Sequence, residues 1–424
     1  MLRVRMRYWT RLAVLGALLV GPAWLVRAQP PAETCARCHA QQYEGWARSA
    51  HARASAAFQA IAASPAALGT WGSDGCRRCH APLGGSGAVA GISCEGCHLL
   101  DRVDGVGNGA FHVATDGVLR STRGSSSPHP TAASPLFSDS LFCAACHEQY
   151  HPTSGVVLQG TYTEWLNSDA SREGKTCQTC HMAKGVPSHA FGVGGADAAA
   201  KGRALAQAIA LDVKWPESAR AGAPFIVDVR LENVAAGHAL PTGKVEASEM
   251  WLEMAATVAG RTVFTETLPY GVMYADSEGL HEPPVPSVDA ASVFRDHRLF
   301  PYRAITERFV FVVPSDARGT VDVEVRLMYR PTPAWLSERL ALPISSAVAV
   351  HRASVSLAVL GPAAAPTYVS PTPTPRSTAT PVPTGGPKDG TVRAEERGWL
   401  GPFFLLAALV LMAVTVWALR KRAV

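Results

Sequence analysis

Ten cysteines fall into five copies of one triplet, Cys-x-x-Cys-His: Cys35/Cys38/His39, Cys76/Cys79/His80, Cys94/Cys97/His98, Cys143/Cys146/His147 and Cys177/Cys180/His181. Two thiols at this spacing can each add to a porphyrin vinyl group, and the imidazole that follows is held beneath the iron. That is the chemistry of covalent c-type haem. Five copies with no cysteine left over predict five covalently attached haem c groups. Zinc knuckles come in pairs and do not require histidine after every second cysteine. A redox Cys-x-x-Cys pair occurs once, beside a βαβ pattern, and a disulfide scaffold would not impose identical triplets.

The proximal ligands are then His39, His80, His98, His147 and His181. What fills the opposite axial position decides between wire and enzyme. A site with two protein ligands exchanges electrons, whereas an open one can bind and transform a small molecule. Five more histidines lie in the same region: His51, His112, His129, His151 and His189. His129 is framed by Pro128 and Pro130, which fix the backbone and can aim a ring, though a plain turn reads the same way. His112, in Ala-Phe-His-Val-Ala, is either a ligand or a solvent-facing residue on a short strand. His151 follows His147 by four residues and either shares its helix face or sits in a turn before Pro152. Met182 directly follows His181 and reads as packing against a porphyrin. His238 lies between Gly237 and Ala239-Leu240-Pro241-Thr242-Gly243, a shaped loop in which backbone can approach another surface closely. His281, His297 and His351 read as surface or structural.

Roughly thirty residues per haem is too few to build a conventional apolar core around each cofactor. Residues 29–204 therefore read as a haem-centred pentahaem domain of loops and short helices, the haems forming the core. The short gap between Cys79 and Cys94 makes the second and third haems neighbours. From residue 205 to 361 the cysteines stop and strand patterns begin. Phe225 to Leu231 and Val321 to Leu327 alternate apolar and polar, and Met250 to Val258, Glu307 to Val313 and Ala353 to Leu360 read as further strands. About seven such strands predict an all-β sandwich of immunoglobulin-like type.

Residues 1–28 read as a secretory signal peptide, with Arg3, Arg5, Arg7 and Arg11 ahead of an apolar run and a small-residue site at Val26-Arg27-Ala28. An uncleaved anchor is the alternative. Residues 362–397 form a Pro/Thr-rich linker of extended character. Within residues 398–424, Trp399 to Leu419 is long and apolar enough for one transmembrane helix, and Arg420-Lys421-Arg422 marks the cytoplasmic side. The formal charge is +5, but the five arginines of the leader and the three basic residues of the tail account for more than all of it, leaving about −3 on the ectodomain. That balance excludes nucleic acid and favours a basic redox partner.

Cys35 to His51, with Tyr43, Trp46 and Ser49 between, resembles the opening motif of a multihaem cytochrome c family. That family includes the tetrahaem electron carrier of ammonia oxidisers and is related to hydroxylamine oxidoreductase. Phe142 to Glu148, Thr163-Glu164-Trp165 and Cys177 to Met182 are similar to its later motifs. Asn233 to Gly243 resembles a signature in β domains attached to such cytochromes. The resemblance implies distal roles for His51, His129, His189 and His238, and mostly bis-histidine ligation. Five motifs instead of eight, no Cys-x-x-Cys-Lys and no evident cross-linking tyrosine separate this chain from the catalytic relatives.

The expectation is a single-pass, membrane-anchored cytochrome, its ectodomain in the periplasm or on the outer face of the cytoplasmic membrane. It would carry electrons between a membrane donor and an extracytoplasmic acceptor, a role compatible with a place in a respiratory complex. The alternative is a multihaem oxidoreductase acting on a small nitrogen or sulfur compound at one open haem.

Overall fold

Little of the first half of the chain can be held together by its own side chains. The computed structural model describes residues 31–56, 59, 72–83, 91–124, 128–182, 188–192, 197–244, 248–280, 284 and 286–362. Among the described residues up to 182, the buried apolar side chains are six alanines and two leucines, Leu100 and Leu158. Burial on that scale offsets only a fraction of the ordering cost of so many residues.

The elements there are correspondingly short. Helices α1 (Ala32–Ala36), α2 (Ala40–Arg48), α3 (Gly72–His80) and α4 (Cys94–His98) come first. The antiparallel pair β1 (Leu100–Val103) and β2 (Phe111–Val113) and the parallel pair β3 (Leu119–Ser121) and β4 (Thr131–Ala133) follow. Then come α5 (Leu141–Ala144), the antiparallel pair β5 (Gln149–Tyr150) and β6 (Val157–Gln159), and helices α6 (Thr161–Leu166), α7 (Asp169–Arg172) and α8 (Cys177–His181).

Helix α9 (Ala198–Ala208) is capped by Asp197, whose carboxylate accepts from the amides of Ala199 and Ala200 at 2.9 and 3.2 Å. It starts ahead of the expected boundary at 205 and packs on the strands that follow, where a Cβ on Gly202 would lie 2.9 Å from Val348.

Those strands are β7 (Ile209–Lys214), β8 (Ala219–Arg220), β9 (Pro224–Asn233), β10 (Glu249–Val258), β11 (Arg261–Ala275), β12 (Ser292–His297), β13 (Ala304–Val312), β14 (Thr320–Arg330) and β15 (Val348–Leu360). They form a six-stranded sheet in the order β12-β11-β10-β14-β15-β8 and a three-stranded sheet, β13-β9-β7. Alternation sets the inward faces. Phe225, Val227, Val229 and Leu231 of β9 meet Met250, Leu252 and Met254 of β10 and Val321, Val323, Val325 and Leu327 of β14 in one buried cluster. The strands expected at 225–231, 250–258 and 321–327 are all present. Register is strict where both faces matter: β10 pairs with β14 residue for residue from Glu249↔Arg330 to Val258↔Val321.

Residues 363–424, which include the expected membrane span, lie outside the described residues, as does the leader. Among the described residues no helix is long and apolar enough to cross a membrane.

Candidate haem-binding sites

Each Cys-x-x-Cys-His triplet is wound into a single helical turn. At 3.6 residues per turn, positions i, i+3 and i+4 share one face, so both sulfurs and the imidazole present together. Backbone bonds close the turn in the first and fourth motifs, His39 N to Cys35 O at 2.9 Å and His147 N to Cys143 O at 2.8 Å. The third and fifth motifs fill α4 and α8, and the second ends α3. Two motifs are capped by the residue before them. Ser93 Oγ accepts from Gly96 N at 3.1 Å, and Thr176 Oγ1 from Thr179 N at 3.3 Å. No two of the ten cysteines form a disulfide. Among the described residues no group of three or more His, Cys, Asp or Glu side chains could hold a bare metal ion.

Cys38 and Cys180 are exposed, whereas the other eight cysteines are half-buried. The reason is their place in the row of motifs. Cys38 is the second cysteine of the first motif and Cys180 that of the last. Their mates, Cys35 and Cys177, turn towards neighbouring motifs at Cys94 and Cys143. That leaves Cys38 and Cys180, one turn further on, at the outer rim. The adjoining helices α1 and α8 bury no residue at all. Both cysteines keep the spacing that thioether attachment needs.

Four of the five proximal imidazoles face a second imidazole. Ring centroids lie 6.2 Å apart for His39 and His129, 6.0 Å for His51 and His147, 6.3 Å for His98 and His189, and 6.2 Å for His181 and His238. A metal–imidazole bond is about 2.0 Å, and the ring centre lies about 1.1 Å beyond the nitrogen, so two opposed ligands put their centroids about 6.2 Å apart. Direct ring stacking would bring the centroids closer. The spacing therefore fits an iron between each pair.

The hydrogen bonds of the outer ring nitrogens agree. His80 Nδ1 meets Ala54 O at 3.0 Å, His98 Nδ1 meets Arg120 O at 2.6 Å and His238 Nδ1 meets Ala239 O at 3.1 Å. A carbonyl on Nδ1 fixes the tautomer and leaves the Nε2 lone pair for a metal. His51 Nδ1 is buried without a hydrogen-bond partner, an arrangement that otherwise costs about 1–3 kcal/mol. Burial lowers the basicity of His80, His98, His181, His189 and His238. It pushes His51 down to about 3 and His147 to about 4, with neighbouring histidines adding to the effect. All stay neutral at pH 7, the form that ligates.

His112 and His151 are placed elsewhere, and neither faces a proximal histidine. His112 Nδ1 pairs with Asp101 at 2.8 Å on the partly exposed β1–β2 hairpin. His151 is buried with both ring nitrogens committed. Nε2 donates to Val288 O at 3.0 Å, while Nδ1 accepts from Thr153 N and Ser154 N at 3.3 and 3.1 Å. The physical reason is chain direction. The turn carrying His147 gives way to β5, so four residues later the chain no longer follows a helix face. His297 contacts Glu307 and Pro269 O, and His351 Nε2 donates to Ile209 O at 2.7 Å, both structural as expected. His281 lies outside the described residues.

The motifs adjoin one another. Cys35 lies beside Cys94, Cys79 beside Cys146 and Cys143 beside Cys177, with Cys97 near both Cys143 and Cys146. The peptides of the second and third motifs touch, since a Cβ on Gly96 would lie 3.3 Å from Pro82. These contacts link all five attachment sites into one cluster.

His238 comes from the β region, and a set of residues brings it across. Buried Asn233 donates to His238 O at 2.9 Å and Leu299 O at 3.2 Å and accepts from Ala236 N at 3.0 Å, pinning the loop's shape. Gly237 lets that loop press on the haem region, where a Cβ would lie 2.8 Å from Ala170 and 3.4 Å from Trp165. Glu164 of α6 accepts from Ala239 N at 3.0 Å and from Arg298 Nη1 at 2.6 Å. Thr161 Oγ1 meets Thr242 Oγ1 at 2.9 Å and Gly243 N at 3.3 Å. A second contact joins Leu158 to Tyr274 and Ala290. Glu148, next to His147, is fully buried and caps α6 by accepting from Tyr162 N and Thr163 N, each at 3.1 Å. Both glutamates fall in strings that resemble the family's later motifs, but their roles have no local signal, because each acts on partners that only the fold supplies.

The family model of cytochrome c554 and c-prime matches residues 34–99. Among solved structures, the penta-heme cytochrome c552 from Thermochromatium tepidum is similar with a TM-score of 0.61 and 22% identity, covering 77% of this chain and 99% of that one. The CARDB domain of a protein from Pyrococcus furiosus matches with a TM-score of 0.19 and 10% identity, over 36% of this chain and 87% of that one, too weak a likeness to argue from. No curated protein matches the sequence. The chain has a multihaem cytochrome c fold with a β-sheet-rich region, and its five motifs are consistent with five covalently bound haem c groups.

Proposed function

We propose that this protein is a membrane-anchored, extracytoplasmic pentahaem cytochrome that passes electrons between redox partners and has no substrate chemistry of its own. The four opposed imidazole pairs, 6.0 to 6.3 Å apart, carry this reading. Bound haem c supplies a one-electron ferric/ferrous couple. His39 and His129, His147 and His51, His98 and His189, and His181 and His238 would close both faces of four irons and exclude exogenous ligands. Two imidazoles, with no methionine sulfur, favour low potentials. The adjoining motifs support a continuous path for electrons.

The apolar stretch Trp399 to Leu419 and its basic tail support anchoring, and the amino-terminal leader supports export. The net charge of the ectodomain favours a basic acceptor, and the β region offers a face for docking into a respiratory complex. We also read the two-sheet region as immunoglobulin-like, and the family model supports kinship with the carrier of ammonia oxidisers.

The test is spectroelectrochemical titration of the full-length protein together with membrane fractionation of the producing cells. Low potentials in a membrane-bound fraction are expected. Carbon monoxide bound at any of the four paired sites would sink the reading. One observation favours an enzyme as the second reading: His80 faces no imidazole among the described residues. Turnover of nitrite, hydroxylamine or tetrathionate would decide for it.

A further inference from the structure

The second haem site differs from the other four. Its proximal residue, His80, has its outer nitrogen on Ala54 O, which aims Nε2 inward as in the paired sites. Yet no further described histidine faces it. Eight form the four pairs, His151 and His297 have both nitrogens bonded, His351 Nε2 meets Ile209 O, and His112 sits on the partly exposed β1–β2 hairpin with Nδ1 on Asp101. Of the described methionines, Met250 and Met254 are sealed in the β core, Met273 and Met328 lie on β11 and β14, and Met182 directly follows His181 at the fifth site.

We propose that Lys244 supplies the sixth ligand at this site, its ε-amine opposing His80 across the second haem. The inference rests on covalent haem attachment at Cys76 and Cys79. Lys244 is six positions beyond His238 on the same loop, and the loop's course is fixed. Thr161 Oγ1 holds both Thr242 Oγ1 and Gly243 N, and Gly243 turns the chain with φ +83°. The next residue after Thr161, Tyr162, bonds through its amide to His147 O at 3.3 Å. Gly109 ties the fourth motif to the second: its amide bonds to Ala145 O at 2.8 Å, and a Cβ on it would lie 2.5 Å from Arg78 Cβ. The loop therefore ends beside the fourth motif, which itself abuts the second. From there a four-carbon stem has the reach to deliver an amine.

The electrostatics agree that the Lys244 charge lies near the second motif. Burial dominates at both ends of the second motif, raising the Cys76 thiol and lowering His80, and the Lys244 charge acts on each as a further, downward influence. Coordination uses the amine's lone pair, so loading the site displaces one proton from the ammonium form. One loop of the β region would then cap two haems, the fifth through His238 and the second through Lys244.

The experiment uses the full-length protein matured with c-type haem, its mass establishing five attached haems. Electron paramagnetic resonance counts low-spin ferric sites, and carbon monoxide titration of the reduced protein counts open ones. Wild type is expected to show five low-spin haems and no carbon monoxide uptake. Lys244→Ala is expected to show one high-spin haem and to take up one carbon monoxide per chain. Lys244→Arg keeps the charge but cannot ligate and should behave as the alanine variant. Lys244→Met should restore a low-spin site at a higher potential. Four unchanged low-spin signals in each variant report intact folding. A wild type that already binds carbon monoxide at one haem, unchanged in Lys244→Ala, overturns the proposal, as does an arginine variant indistinguishable from wild type. A mass with fewer than five haems removes the attachment reading beneath it, a failure distinct from a lysine that does not ligate.

Discussion

Glu164 and Arg298 meet at 2.6 Å where the haem region faces the β region, each side chain about nine-tenths buried. The same carboxylate holds Ala239 N, the residue after His238, at 3.0 Å. One ion pair thus fastens the two regions and sets the position of an axial ligand. Arg298 is also held by Asp296, through Nε at 2.8 Å and Nη2 at 2.7 Å, so its guanidinium is fixed before Glu164 reaches it.

Glu164→Gln should therefore cost stability and ligation together. Breaking a buried pair costs about 3–5 kcal/mol, and the surviving Asp296 contact favours the lower end, about 3 kcal/mol. Denaturant melts measure the loss. Magnetic resonance should show the fifth haem turning partly high-spin, with the first, third and fourth unchanged.

Gly237→Ala tests the close approach of the loop. Its new methyl would sit 2.8 Å from Ala170 Cβ, inside normal contact. Overpacking of this kind costs about 1–3 kcal/mol. The double variant Gly237→Ala/Ala170→Gly should recover most of that loss. If it recovers none, the strain lies elsewhere than at this contact.

His238→Ala and His151→Ala should separate two kinds of buried histidine. The first opens the fifth site and should add one carbon monoxide bound per reduced chain. The second strands Val288 O and the amides of Thr153 and Ser154, costing about 1–3 kcal/mol with no change at any haem. Carbon monoxide uptake by His151→Ala would contradict its placement.

At the first site, His129→Ala should convert one low-spin haem to high-spin, whereas His112→Ala should leave all spectra unchanged. His112 keeps only an exposed contact with Asp101, worth at most about 1 kcal/mol.

The five attachment sites were legible because each is local: three residues within one turn carry the chemistry, and no distant partner is needed. How deep each sulfur sits was not legible, since Cys38 and Cys180 differ from the other eight only in which motifs flank them in space. The long strands were legible too, since alternation at Phe225 to Leu231 and Val321 to Leu327 reports a half-buried face directly. The distal ligands were harder. His129 and His39 are far apart in sequence, and only the prolines around His129 hinted at a fixed ring. His151 misled because a spacing of four suggests a shared helix face, and nothing local announces that the turn at His147 ends at once. Lys244 was silent for a different reason, and Glu164 stood in a family-like string with no role attached. A lysine after Thr-Gly and a glutamate before Trp show what they do only when a second region folds against them.

The placement of His238 outside the haem region also bears on the order of manufacture. A ribosome delivers Cys177 to His181 well before the strands that flank the loop, so porphyrin can be joined to those thiols while the far side of its iron still lies bare. Sheet formation would then bring the imidazole in, so that the centre would be completed last and the β region would act as a clasp.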